Sequence, residues 1–179
     1  VKIIPFRGEY YKIRDSKKEI LNNMIYPLAD PDLPFLGIHL TKTANGDIEA
    51  GPNAVLAFSK EGYKWTDINF VDLTKVLTFP GMIKLGKKYF KTGISEMYRS
   101  LNKNVFVKEI QKLIKGVDPR DIQQIPSGVR AQAVDKAGNL VDDFLFEEGD
   151  SSLHVLNSPS PAATASLAIG ESIASKILD

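Results

Sequence analysis

The 179-residue sequence contains no cysteine. That excludes disulfides, thiolate metal sites and thiol nucleophiles, and it fits a reducing compartment. Histidine is nearly as scarce, with only His39 and His154, and two separated imidazoles without clustered carboxylates make no recognisable metal site. No apolar run approaches the roughly 20 residues that a membrane-spanning helix needs, and nothing resembles a signal peptide. The expectation is a soluble, cytoplasmic protein. Excess charge of either sign is also missing: 23 Lys and Arg stand against 22 Asp and Glu, for a net +1. No global field therefore draws nucleic acid or an anionic membrane, and no basic patch interleaved with aromatics supports nucleic-acid binding.

What is present is 43% hydrophobic residue content, enough for one sizeable core. The chain opens on Val1 with VKIIPF, which reads as a buried strand without a polar lead, and so as a piece of a longer chain. Val1–Pro5 and Glu9–Ile13 read as two strand runs bent at Arg7–Gly8. Ile20–Pro34, with prolines at 27, 31 and 34, reads as loop. LGIHLTKTANGDIEAGP predicts a hairpin, with Ile38 and Leu40 alternating against His39 and Thr41, a turn over Ala44–Asp47, and a return strand through Ile48 and Ala50. From Thr66 the texture becomes helical. VDLTKVL is a short helix, and PGMIKLGKKYFKTGISEMYRSL is a second, with Met82, Leu85, Tyr89, Ile94, Met97 and Leu101 near one face. KNVFVKEIQKLIKG is a third, closed by Gly116. GVRAQAVD, a Lys136–Asn139 turn and LVDDFLF predict a second hairpin, followed by the strand SSLHVLN. The layout is α+β, a mostly antiparallel sheet packed with helices.

HVLNSPSPAATASLAIGESIA then predicts a strand, a turn and a helix capped by Ser160 with Pro161 in its first position. Ile169, Ile173 and Ile177 form a bulky stripe, while Ser166, Gly170 and Ala174 form a flat one that lets a backbone or planar ligand approach. Close packing of an internal helix would explain the same spacing.

Four strings, PFRGEYYKI, LGIHLTKTANGDIEAGPNAVLAFSKEGY, PSGVRAQAVDKAGNLVDDFLF and HVLNSPSPAATASLAIG, closely resemble the carboxyl-terminal half of L-2-hydroxyglutarate oxidases and dehydrogenases. These belong to the D-amino-acid-oxidase-like group of FAD-dependent oxidoreductases. The resemblance is weakest over Asp67–Lys115, and the family's strand–GxGxxG–helix for the FAD pyrophosphate is absent. It implies a substrate-binding domain over 1–147, with a central helical region at about 66–116. Residues 148–179 would be a strand and helix belonging to the FAD-binding domain, the rest of which this chain lacks.

By the same resemblance, Ser158, Pro159, Ser160, Pro161 and Ala162 line the flavin ring, and backbone N–H groups there stabilise charge on the reduced flavin. The implied reaction is oxidation of a 2-hydroxy dicarboxylate, L-2-hydroxyglutarate, to the 2-oxo acid. Arg130 matches the position that presents an arginine to the substrate carboxylate, and a guanidinium suits that planar anion. A surface ion pair is its ordinary alternative. Arg7 and Tyr10 come from a segment placed beside flavin and substrate, and because Tyr10 and Tyr11 alternate faces, only one of them should reach the cleft. His39 is the candidate general base, against an ordinary structural role; His154 is a weaker candidate. Gly51, Pro52 and Asn53 form a turn that could approach the ligand, as hairpin geometry alone would also explain. Lys84, Lys87, Lys88 and Lys91 read as a solvated face, with peripheral contact to anionic lipid as the other use. The rival functions are a flavoenzyme for another 2-hydroxy acid or an amino acid, and a non-enzymatic binder of small carboxylates.

Overall fold

The computed structural model describes residues 1–28 and 36–178. The part of the Ile20–Pro34 loop at 29–34 lies outside the described residues. Element order runs β1 (Lys2–Ile13), β2 (His39–Lys42), β3 (Ile48–Gly51), β4 (Val55–Leu56), α1 (Phe70–Leu77), α2 (Pro80–Lys88), α3 (Phe90–Leu101), α4 (Lys103–Leu113), β5 (Ile122–Val134), β6 (Phe146–Gly149), β7 (Ser152–Val155) and α5 (Ser166–Leu178). The expected α+β class, with antiparallel pairing throughout, is borne out.

β1 is the centre of the main sheet. It pairs with β3 and β4 along one side and with β5 along the other. It is one continuous strand, not two runs bent at Arg7–Gly8 as the sequence suggested. The irregularity is a bulge: Gly8 pairs with Gly128 and Tyr10 with Ile125, leaving Glu9 opposite Pro126 and Ser127. Pro126 has no N–H for the ladder, and Glu9 gives its own N–H to the Asn53 side chain at 2.8 Å, so neither backbone group is left wanting. Along β1 the residues Arg7, Glu9, Tyr11 and Ile13 are buried while Phe6, Tyr10 and Lys12 are half-buried, the period-2 signature of two unequal faces.

The predicted first hairpin forms as read. β2 and β3 pair from Lys42–Ile48 to His39–Gly51, and the turn closes through Gly46 N–H to the Thr43 carbonyl. Its buried residues Leu40, Ile48 and Ala50 join Tyr11, Ile13, Ile122 and the α4 residues Phe106, Val107 and Ile110 in the larger core cluster. A smaller cluster gathers Ile4 and Val134 with Val76, Phe79 and Leu85 of the α1–α2 region. There α2 comes so close to the turn after β5 that a Cβ on Gly81 would lie 1.9 Å from the Asp135 carbonyl oxygen.

Three sequence expectations are corrected. The long second helix divides at Tyr89, whose backbone (φ −111, ψ 28) leaves the helical region. Leu85 is buried but Ile94, Met97 and Leu101 are exposed, so its apolar positions do not share one buried face. LVDDFLF does not form a hairpin arm beyond a Val134–Leu140 bridge. Asn157 instead accepts the Leu145 N–H at 2.7 Å and donates to the Asp143 carbonyl at 2.9 Å, and β6 pairs with β7. Gly116 (φ +84) shapes the turn after α4, which has already ended at Leu113. Lys84, Lys87, Lys88 and Lys91 are all exposed.

Candidate functional site

Pairing across β1 and β5 brings Phe6 opposite Arg130 and Gly8 opposite Gly128. The glycines leave a hollow between the larger side chains. With the loop that follows β3, this forms a cavity of about 200 Å³ lined by Phe6, Arg7, Gly8, Tyr10, Pro52, Asn53, Ala54 and Arg130, among others. Tyr10 and Arg130 are near enough that the guanidinium charge pulls the phenol's acidity one way while burial, the larger effect, raises its pKa. Tyr11 goes the other way: it is 6% exposed and its ring lies 4.5 Å from that of Phe106. The two tyrosines thus divide between cleft and core, as strand alternation requires.

Gly51 is what allows the loop to sit there. It has φ +147, and a Cβ on it would fall 2.7 Å from the Glu9 carbonyl and 2.8 Å from the Tyr10 ring. Likewise a Cβ on Gly8 would meet Pro52 at 2.8 Å.

Arg7 borders the cavity, but its guanidinium is committed behind the sheet. Arg7 is 1% exposed, its Nε donates to Glu9 at 3.1 Å, and its Cζ lies 4.6 Å from the centre of the Trp65 ring. Among the described residues both Nη atoms are buried without a hydrogen-bond partner. Sequence reasoning grouped Arg7 with the substrate residues, read Asn53 only as part of a turn that could approach the ligand, and passed over the rest of the support: Glu9, Ser100 and the single tryptophan, Trp65. Glu9 accepts from Asn53 Nδ2 at 2.8 Å and from the Ser100 hydroxyl, which in turn accepts from Trp65 Nε1 at 2.9 Å. A buried polar residue beside a tyrosine pair was the available signal, but its partners are far off in sequence.

His39 lies outside this cavity lining. It pairs with Gly51, stacks on Tyr26 (centroids 4.3 Å apart) and places Nδ1 3.4 Å from the Gly37 carbonyl. Burial lowers its pKa, partly opposed by that carbonyl, which favours the neutral ring able to accept a proton. His154 sits on β7 with Nε2 3.0 Å from the Ser152 hydroxyl, in neither Arg130-lined cavity.

Ser158, Pro159 and Ser160 line a second cavity of about 410 Å³ with Arg130, Gln132, Asp142 and Asn157. Arg130 therefore borders both hollows. The segment is not a helix start. Ser160–Ala165 is turn, with Ala162 N–H bonded to the Pro159 carbonyl, and α5 begins at Ser166. The Thr164 hydroxyl donates to the Pro161 carbonyl at 3.0 Å, and the same carbonyl accepts the Ala165 N–H, a single helical bond ahead of α5. α5 has no buried residue, and a Cβ on Gly170 would meet nothing within 4 Å, so its flat stripe is open among the described residues. No group of metal-binding side chains occurs among the described residues, and no described helix is long and apolar enough to cross a membrane.

No family model matches the chain. Individual relatives do. The chain is 50% identical over 97% of its length to L-2-hydroxyglutarate dehydrogenase from Indibacter alkaliphilus, of which it covers 43%. It is 49% identical over 99% to the mitochondrial L-2-hydroxyglutarate dehydrogenase of Caenorhabditis elegans, covering 42%, and 43% identical over 98% to the Escherichia coli K12 protein of that name, again covering 42%. Over almost its whole length, then, the chain is similar to proteins named L-2-hydroxyglutarate dehydrogenase. The resemblance carried by the four strings extends through the helical region, and the chain spans about two fifths of the length of these relatives.

Proposed function

We propose that this chain is the substrate-binding, flavin-facing part of an FAD-dependent oxidoreductase that converts L-2-hydroxyglutarate to 2-oxoglutarate. The observation that carries the reading is Arg130's place in the walls of both cavities, one with Tyr10 and the Pro52–Ala54 loop, the other with Ser158–Ser160. A carboxylate held by that guanidinium would put the α-carbon where the two hollows meet. The second hollow suits one edge of a flat polar ring: Arg130, Gln132 and the serine hydroxyls offer donors, and Pro159 an apolar surface. These residues fit such an edge, with Pro161 and Ala162 next along the same turn. FAD, when bound, supplies the hydride acceptor.

The chain's own work is to orient and to move a proton. Arg130 holds a carboxylate through parallel N–H donors. Tyr10, which lines the same cavity and whose hydroxyl burial keeps protonated, would donate to the same anion. His39, whose neutral ring burial favours and which pairs with Gly51 next to Tyr10, is the group that would take the hydroxyl proton. In this reading 1–147 is the substrate domain, and 148–179, which carries α5 with its open stripe, docks on the flavin domain.

The test is spectroscopic. The natural full-length protein should be yellow and should bleach when L-2-hydroxyglutarate is added without oxygen. Replacing Arg130 by Met should lower kcat/KM by roughly 100-fold, and Lys at that position should restore only part of it, since one ammonium cannot reproduce the fork. A protein that stays colourless after reconstitution refutes the reading. Faster bleaching by another hydroxy acid or an amino acid moves it to the rival substrate class.

A further inference from the structure

On the reading above, we propose that Glu9 is a positioning residue for the substrate site, acting through Asn53 to fix the Gly51–Ala54 loop that forms one wall of the cavity. Glu9 is 2% exposed and Asn53 4%. The two make a closed pair: Glu9 N–H donates to Asn53 Oδ1 at 2.8 Å, and Asn53 Nδ2 donates to Glu9 Oε2 at 2.8 Å. Both ends of the amide are used, and a flipped amide would set N–H against N–H and oxygen against carboxylate, so only one orientation is allowed. Asn53 is thereby pinned at both ends of its amide by Glu9. Its function is to hold the loop.

The gap between β3 and β4 makes this arrangement possible: Glu9 lies between the Arg7–Val55 and Tyr11–Ala50 pairs, where no strand claims its N–H, and Asn53 takes it while Gly8 and Tyr10 on either side line the cavity. The loop is anchored from beyond as well, by Ala54 N–H donating to Glu96 Oε2 at 3.1 Å, with Arg99 bonded to the other carboxylate oxygen. Ser100, one turn along α3 from Glu96, reaches Glu9 itself. Since Pro52 already touches the site of a Gly8 Cβ, the loop has no room to move inward. Its distance from Tyr10 and Arg130 is then set by the Glu9–Asn53 pair.

Among the described residues the charged and titratable groups around Glu9 are Arg7 on its own strand, Tyr11, whose pKa burial and then the Glu9 charge raise, and Tyr63 and Lys64, which line a cavity with Glu9 and Trp65. Glu96 and Arg99 lie beyond the loop on α3.

The experiment uses the natural full-length protein with Asn53→Asp, which sets a carboxylate against Glu9 Oε2. At low pH the two carboxylates share a proton and the hydrogen bond is restored; at high pH they repel. Relative to wild type, kcat/KM for L-2-hydroxyglutarate should be within about threefold at pH 5.5 and roughly 10–100-fold lower at pH 8.5. Flavin content and circular dichroism should be equal at both. The affinity for 2-oxoglutarate, measured by calorimetry, should divide in the same way. Ser100→Ala, which removes a donor to Glu9 away from the cavity, should raise KM several-fold with kcat little changed, and it decides the matter if the first variant does not fold. A variant profile parallel to wild type, or a Ser100→Ala enzyme with wild-type KM, overturns the proposal. A wild-type protein inert toward L-2-hydroxyglutarate overturns the functional reading first, and this inference with it.

Discussion

Replacing Arg7 by Met tests whether the group behind the sheet is a charge pair or a set of neutral hydrogen bonds. The pair is buried, with side-chain exposures of 1% for Arg7 and 3% for Glu9 and a 3.1 Å contact. Removing one member of such a pair leaves the other charge uncompensated, at about 3–5 kcal/mol. Loss of the stacking on Trp65, with Cζ 4.6 Å from the ring centre, adds about 1 kcal/mol. In the other direction, the two partnerless Nη groups vanish with the arginine and return about 2 kcal/mol of desolvation. The net is a loss of about 2–4 kcal/mol, or an apparent melting midpoint lower by roughly 4–16 °C for a domain of this size. Adding Glu9→Gln removes the stranded charge while keeping an acceptor for Asn53 and Ser100, so the double variant should regain at least half of the loss. Thermal and denaturant unfolding of the four proteins in the cycle measures this. A single Arg7→Met loss below about 1 kcal/mol, or a double variant that merely sums the two singles, refutes the argument.

Two further outcomes follow from local geometry. Gly51→Ala should cost at least about 2 kcal/mol, read as a lower unfolding midpoint, because φ +147 and a contact 2.7 Å from the Glu9 carbonyl leave no place for the methyl. Asp15 and Asp47 have pKa values lowered by their hydrogen bonds, first to Lys18 and first to Lys12 respectively, so their contribution is present above about pH 4 and lost as pH falls through the folded-state values. Asp47→Asn should make acid unfolding between pH 5 and pH 2 less steep, and about 1 M salt should do the same to the wild type, since these groups are at the surface; equal steepness in variant and wild type would refute this.

Much of the fold was legible because it is locally encoded. The Asn45–Gly46 turn between alternating strands specifies the β2–β3 hairpin without outside help, and the same alternation sends Tyr10 and Tyr11 to opposite faces. What escaped depends on partners distant along the chain. Nothing near Glu9 announces that its N–H bonds to a side chain 44 residues away, or that β5 sets two residues opposite it, so the bulge read as a bend. The second hairpin failed for the same reason, since Asn157 claims the backbone of Asp143 and Leu145 before a strand can. At the terminal helix, Ser160 and Pro161 satisfied the local rule for a start. The chain instead spends them on a turn beside Arg130 and begins α5 at Ser166. Local rules place elements; the cavity depends on which polar side chain wins each backbone group.

The stretch Phe6–Tyr11 shows why the candidate site could be found without being understood. Period-2 alternation interleaves the residues that line the cavity with those that hold it: Phe6, Gly8 and Tyr10 face the hollow, while Arg7, Glu9 and Tyr11 are buried behind them. Resemblance marks the whole string at once and cannot separate the two roles, so Arg7, a cation next to a cleft, was grouped with Arg130. Burial separates them. Arg130 is on an exposed position of β5 in the walls of both cavities, whereas Arg7 is enclosed by Glu9 and Trp65 and its Nε is bonded to the Glu9 carboxylate. On the proposed function, substitutions on the two faces should differ in kind: those at Tyr10 or Arg130 should change ligand affinity in a folded protein, and those at Arg7 or Glu9 should change the fold or the Gly51–Ala54 loop.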